Sequence, residues 1–472
     1  MRAFFLYTIL AFCLINCRHK IPEPQSDFAY LGGEVINANS NFVVLYKEHT
    51  VVDTVPLTNN RFIYKINHLE SGLYTFAHGG EIQMVLLEPQ DSIMFRLNTL
   101  DFDESLVFTG KGAKKNNYLI NMFLENEKEN EKVLKYSQSK PKTFEKSLDS
   151  LKEIKLKRLE TFKTKFETTP LFDEIAQANI DYNYYLSKEV YPFAYYGSNE
   201  LKNLQSLPED FYSYRENIDY NNNVLRDYFP YYYFLRYHFN NLALQEHFKH
   251  SNDSVFDRKS LDYNLDKIKL IDSLVSNDSI KNGLLKDTAI RFLNTNKNVD
   301  EYDALIDAYL KSSTSKTQKR QVSNLANSLK RLRTGSSLPN IEITDYNNQD
   351  LSIHSIIDKP TVIYFWSYTI KGHFKESHYK IKSLKAKYPE VDFIAININS
   401  GDPKFWKTSL KEFNFPAENE YQFKSPLRAK ETLAINAINK VMIVDKNSKI
   451  VDCNANMFSP MFEEEILGLI SK

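Results

Sequence analysis

The sequence predicts a multidomain α+β protein in three parts: an N-terminal β-sandwich, a central α-helical bundle and a C-terminal α/β domain. Three patterns carry this. Short alternating strands punctuated by turn residues run through residues 28–110. The period becomes helical over residues 113–333, and strands then alternate with helices over residues 338–472. Hydrophobic residues make up 42% and charged residues 25%, a balance that folds into cores rather than staying disordered. Lys+Arg and Asp+Glu are each 60, so no net charge draws the chain to nucleic acid or an anionic membrane.

At the N-terminus, Arg2 precedes an apolar run over residues 3–15, too short to span a bilayer as a lasting helix. The run ends in Leu14-Ile15-Asn16-Cys17, which resembles a bacterial lipobox. Residues 1–17 are thus expected to be a lipoprotein signal, with Cys17 as lipid acceptor and Cys13 removed. Residues 18–27 are a polar, Pro-containing tether without a dense acidic run, which favours a lipid-anchored, periplasm-facing place in the cell envelope. Cys453 is then the one candidate free thiol, and an internal disulfide is excluded.

In the first domain the clearest strands are residues 42–46, 51–55 and 61–66, with Asn59-Asn60 as a hairpin turn. About seven strands at this spacing read as a small sandwich. The series Gly33, Asn60-Arg61-Phe62, Ser71-Gly72-Leu73-Tyr74, Pro89-Gln90-Asp91-Ser92 and Thr109-Gly110-Lys111-Gly112-Ala113-Lys114-Lys115-Asn116-Asn117 resembles the N-terminal module of Bacteroidetes envelope lipoproteins that end in a thioredoxin-like domain. That module implies no catalytic role.

The helical part is rich in Glu and Lys at i,i+4 spacing over residues 123–159, which suits solvent-facing helices. Its aromatic stretches, residues 182–186 and 228–237, are expected to be buried seams rather than a stacking surface for sugar or peptide. The ten His residues show no metal-ligand spacing, and no Gly-rich phosphate loop or cofactor motif occurs. Thr334-Gly335-Ser336-Ser337 is the linker to the last domain.

In that domain, an opening hairpin leads through Lys359-Pro360 to a buried strand, residues 361–366. A helix at 374–387, a strand at 391–398, a helix at 403–413, a hairpin around Lys446-Asn447-Ser448 and a helix at 461–470 follow. This order is similar to the thioredoxin-like fold of the periplasmic thiol–disulfide oxidoreductases related to TlpA and ResA. In that family, Phe-Trp and three further residues precede a Cys-x-x-Cys pair at a helix N-terminus. The first thiol attacks as a thiolate and the second resolves the mixed disulfide. Here Phe365-Trp366-Ser367-Tyr368-Thr369 lead to Ile370 and His373 at the cysteine positions. The family's cis-proline position is Asn439, where a cis bond would cost about 2.5–4 kcal/mol, so a trans bond is expected.

The resemblance therefore implies the fold without the dithiol site. A ligand notch built from Tyr368, Lys371 and His373 at the helix N-terminus is a further candidate. The expected function is non-catalytic: binding of an envelope protein or peptide partner, or scaffolding. A diverged oxidoreductase acting through Cys453 or a partner's thiols is the enzyme alternative, and an accessory factor of an uptake or export system is a third.

Overall fold

The computed structural model describes residues 27–48, 50–197, 200–252 and 255–470. The signal segment with Cys13 and Cys17, and the tether up to residue 26, lie outside the described residues. The chain divides into two compact units, one holding the residues up to Lys128 together with Phe166–Ala176, the other holding Glu129–Lys165 and Gln177–Lys472.

The first unit contains eight strands among the described residues: β1 (Ala29–Ile36), β2 (Phe42–Lys47), β3 (Thr50–Pro56), β4 (Arg61–Ile66), β5 (Gly72–His78), β6 (Glu81–Leu87), β7 (Ser92–Asn98) and β8 (Val107–Lys111). They form two four-stranded sheets, ordered β4-β1-β7-β8 and β3-β2-β5-β6. Alternating inward residues such as Leu31, Val35, Phe76, Ile93 and Phe95 fill the sandwich between them. Asn59 and Asn60 both take positive φ, 51° and 62°, as the expected tight turn requires. At Gly33 an added Cβ would come within 2.9 Å of the Phe95 carbonyl oxygen, so the β1–β7 approach demands glycine there.

The strand missed in the sequence, β8, runs into the start of the Thr109–Asn117 motif, and the structure explains that motif. Asn116 mimics a neighbouring strand, accepting from Leu86 N–H at 2.7 Å and donating to its carbonyl at 2.9 Å. Asn117 does the same for Phe108. Lys115 reaches Glu88 and Asp91, each at 2.6 Å, in a nearly buried triad. These polar side chains join the start of the first helix to the β6–β7 turn and the start of β8.

The helices are α1 (Ala113–Tyr136), α2 (Pro141–Lys165), α3 (Pro170–Tyr196), α4 (Leu201–Gln205), α5 (Phe229–His250), α6 (Leu261–Leu274), α7 (Asp278–Thr295), α8 (Tyr302–Ser312) and α9 (Lys316–Arg331). The aromatic stretches pack on one another as expected, with Tyr182 meeting Tyr231 at 4.8 Å and Phe234 at 5.2 Å between ring centres. Tyr233 and Tyr237 point outward.

At the centre of this packing lies Glu189, fully buried. Its carboxylate accepts from Arg215 Nε at 3.0 Å and Nη2 at 2.5 Å, Tyr214 Oη at 2.7 Å, Asn241 Nδ2 at 2.6 Å and His238 Nδ1 at 2.7 Å. Burial alone would push this carboxyl up; Arg215 and then His238 outweigh it and hold it down at about 2. Burial keeps His238 below its ordinary value despite Glu189, so the ring is neutral, donating from Nδ1 and accepting Tyr220 Oη–H at 2.8 Å on Nε2.

The last domain adds β9 (Glu342–Asp345), β10 (Asp350–Ser352), β11 (Thr361–Trp366), α10 (Lys371–Lys387), β12 (Asp392–Asn397), α11 (Lys404–Glu412), β13 (Glu420–Phe423), α12 (Pro426–Thr432), β14 (Lys440–Val444), β15 (Ile450–Asn456) and α13 (Phe462–Ile470). Its seven strands run β10-β9-β13-β12-β11-β14-β15. Every residue of β11 is buried, as a central strand covered on both faces must be. The linker is not a free tether. Gly335 N–H bonds the Ile450 carbonyl at 2.7 Å, Ile450 N–H bonds Ser336 at 2.8 Å, and Leu338 N–H bonds Ser448 at 2.8 Å. Asn454 donates to the Asn294 carbonyl at 2.6 Å, and Lys297 pairs with Asp452 at 2.8 Å. The helical residues from Gln177 onward and the α/β domain thus belong to one unit.

Glu189→Ala should destabilise the protein by about 3–5 kcal/mol, because it strands the Arg215 charge in the interior; chemical denaturation measures this. Both Glu189 and His238 have depressed folded-state values, so their contributions are whole above the ordinary values and vanish as pH falls. His238 loses its contribution first, on acidification below its ordinary 6.5. Glu189 follows between its ordinary 4.5 and about 2. Glu189→Gln, less stable at neutral pH, should show a shallower decline in this lower window when followed by circular dichroism.

Candidate functional site

The chemistry expected of the last domain would sit where β11 ends and α10 begins. Beyond Trp366 the backbone turns through a polar knot. Ser367 Oγ lies 2.7 Å from Thr369 Oγ1 and accepts Thr369 N–H at 3.2 Å, while Tyr368 N–H donates to Asn399 Oδ1 at 3.1 Å. Ile370 takes the N-cap position of α10, where it offers no side-chain acceptor to the free N–H groups of the first turn. Its side chain is 44% exposed.

His373 lies in that first turn, partly buried, with its ring edge toward Phe458 at 6.1 Å. Both ring nitrogens are shielded from solvent and neither meets a protein partner. Burial lowers its basicity, Glu376 partly restores it and His378 opposes it, so the imidazole is neutral. Tyr368 stands on the other side, its ring 5.8 Å from the exposed Phe405 of α11. Lys371 is exposed. Two exposed aromatic side chains thus flank the turn, Phe405 beside Tyr368 and Phe458 beside His373.

Asn439 is exposed in the turn before β14, and all peptide bonds of the described residues are trans. The β11–β14 pairing sets Val441 opposite Tyr364, which places Asn439 level with Trp366, at the same end of the sheet as Ile370.

Beneath this surface is a buried pair that sequence reading missed. Glu420 of β13 accepts Trp366 Nε1–H at 3.1 Å and faces His378 Nε2 at 2.9 Å, while His378 Nδ1 lies 2.7 Å from the Phe374 carbonyl. A carbonyl only accepts, so Nδ1 carries a proton, and one further proton is shared between Nε2 and Glu420. Burial raises the Glu420 carboxyl and His378 draws it back. Trp366 stacks on Phe374 at 4.5 Å and His378 on Phe415 at 4.6 Å, which locks the first turns of α10 in place. β13 is four residues long and polar at buried positions, so no strand pattern announced it.

Cys453 lies within β15, which runs on to Asn456. The register sets Asp452 opposite Ile443 and Ile443 opposite Val362, so Cys453 is two strands from β11 and well below the Ile370 end. Burial raises its thiol; Lys440 lowers it, Asp452 raises it and Lys297 lowers it again. Lys440 is itself buried and brought down to about 8 by that burial. These basic neighbours come from β14 and the α7–α8 turn, and sequence distance concealed them. Burial still dominates, so the group is a thiol.

Residues 358–450 match the Thioredoxin_8 family, described as thioredoxin-like. No curated protein matches the sequence. Similar solved structures include the thioredoxin domain of a thiol-disulfide oxidoreductase from Bacteroides vulgatus, at 21% identity, covering 28% of this chain and 97% of that one with a TM-score of 0.24. A thiol:disulfide interchange protein from a Bacteroides species shares 22% identity over 26% of this chain and 80% of that one, TM-score 0.23. A thioredoxin-like protein from Bacteroides caccae shares 15% identity over 61% and 93%, TM-score 0.32. The fold assignment rests on the family match and the strand order: the C-terminal domain is thioredoxin-like.

Labelling of Cys453 by a maleimide near pH 8 should be roughly tenfold or more slower in the folded chain than in urea. Equal rates would mean that β15 is open to solvent.

Proposed function

We propose that the chain is an envelope lipoprotein, anchored through Cys17, whose thioredoxin-like domain binds an extended segment of a partner protein without thiol exchange. One observation carries this reading. The two positions that hold thiols in the resembling oxidoreductases carry a half-exposed Ile370 and a neutral, partly buried His373 whose shielded ring nitrogens meet no protein partner, beside outward aromatic side chains. Apolar contact to Ile370, Tyr368, Phe405 and Phe458 would supply affinity. A dithiol exchange needs two sulfurs, and the described residues contain Cys453 alone. The enzyme alternative draws on the lysines near Cys453, but burial of the thiol and its place below the Ile370 end weigh against it.

A photo-reactive phenylalanine analogue at Phe405 should cross-link a discrete partner in cells, and Ile370→Asp should reduce that capture at least about tenfold by placing a charge in an apolar contact. Insulin-disulfide reduction that disappears in Cys453→Ser would overturn the binding reading in favour of the enzyme alternative. Cys17→Ser should release the chain from the membrane fraction, as measured by sedimentation; retention there would refute the lipid anchor.

A further inference from the structure

Away from the thioredoxin-like domain, the C-terminal turn of α5 brings two imidazoles against a carboxylate of α6. His247 and His250 are three residues apart and so share one face of α5. His250 Nε2 lies 2.8 Å from Asp266 Oδ2, and His247 Nδ1 lies 3.7 Å from the same oxygen. One ligand atom from each of the three residues falls within 4.8 Å of the others. We propose that His247, His250 and Asp266 form a binding site for a divalent zinc-class cation that ties the end of α5 to α6.

The dimensions fit. Metal–ligand bonds of about 2.0–2.1 Å in a tetrahedron put ligand atoms about 3.4 Å apart, inside the observed spread. Small side-chain rotations would close the cluster around an ion. Two imidazoles and one carboxylate suit zinc, and they leave a fourth position for water. Burial differs usefully along the site. His247 is 5% exposed and held in the core, whereas the His250 side chain is 51% exposed and opens the site to solvent. The free carbonyls at the end of α5 add partial negative charge where the cation would sit. Sequence spacing alone misses the site because the third ligand comes from the neighbouring helix.

Zn2+ titrated into the full-length chain against a chromophoric chelator should bind at one ion per chain. His250→Ala and Asp266→Asn should each weaken binding roughly a hundredfold or more, since removal of even an outer-shell partner costs 10–100-fold. His68→Ala should change nothing: His68 makes a surface pair with Asp27 at 2.6 Å but is not part of this three-residue group. Co2+ in place of Zn2+ should give the visible band of a tetrahedral site, absent in His250→Ala. Zn2+ should also raise the melting temperature of the wild type and not of His250→Ala. His250 projects to solvent, so its loss leaves the core intact and circular dichroism should be unchanged. Failure of the wild type to bind one ion, or variants that bind as the wild type does, would overturn the proposal and leave His250–Asp266 a plain ion pair.

Discussion

The outer edge of β15 must find hydrogen-bond partners, and the architecture of the larger unit follows from how it does so. An edge strand presents a row of unpaired N–H and C=O groups that invites pairing with another chain. Here the segment from Gly335 to Leu338 takes part of that row and Asn294 receives the Asn454 side chain farther along. The stretch that looks like a linker is therefore a strand surrogate. It fastens the start of the thioredoxin-like domain to the β14–β15 hairpin. It also leaves the opposite feature, the loop after β11, as the open end of the sheet.

Buried charge is handled differently in the two halves of that unit. Glu189 stays ionised in the helical core because five donors and the Arg215 charge compensate its desolvation. Glu420 lies equally deep, yet its partner is a histidine, so the pair carries one shared proton and no net charge. The first arrangement fixes how α3 and α5 meet around Arg215. The second fixes the pitch of α10 beneath Ile370 and His373, which bears on the candidate surface directly. A rigid base under an exposed apolar rim suits recognition, since little ordering entropy is lost on binding.

Much of the fold was legible in the sequence because it rests on periodicity. Asn59-Asn60 announced its hairpin through the need for positive φ, and the unbroken apolar run of residues 361–366 announced a strand covered on both faces. β8 and β13 were not legible. β13 is short and carries Glu420 and Gln422 inward, where polar residues are tolerated only because His378, Trp366 and the Asn399 carbonyl satisfy them. The candidate site was half legible: Ile370, His373 and Asn439 followed from their spacing to Phe365-Trp366 and to β14. Phe405 and Phe458, brought near by α11 and by the turn after β15, did not.

The sequence by itself determined the order of the parts, the absence of a cysteine pair at positions 370 and 373, and the lipobox-like Cys17, because these depend on residue identity and local spacing. Only the tertiary structure decided which groups keep their ordinary chemistry. Cys453 is a partly buried thiol, Glu189 a buried anion and His373 a neutral ring with two shielded, unpartnered nitrogens. Desolvation and the distance to neighbouring charges set those states. Both are properties of packing between segments far apart in the chain, and no local pattern encodes them.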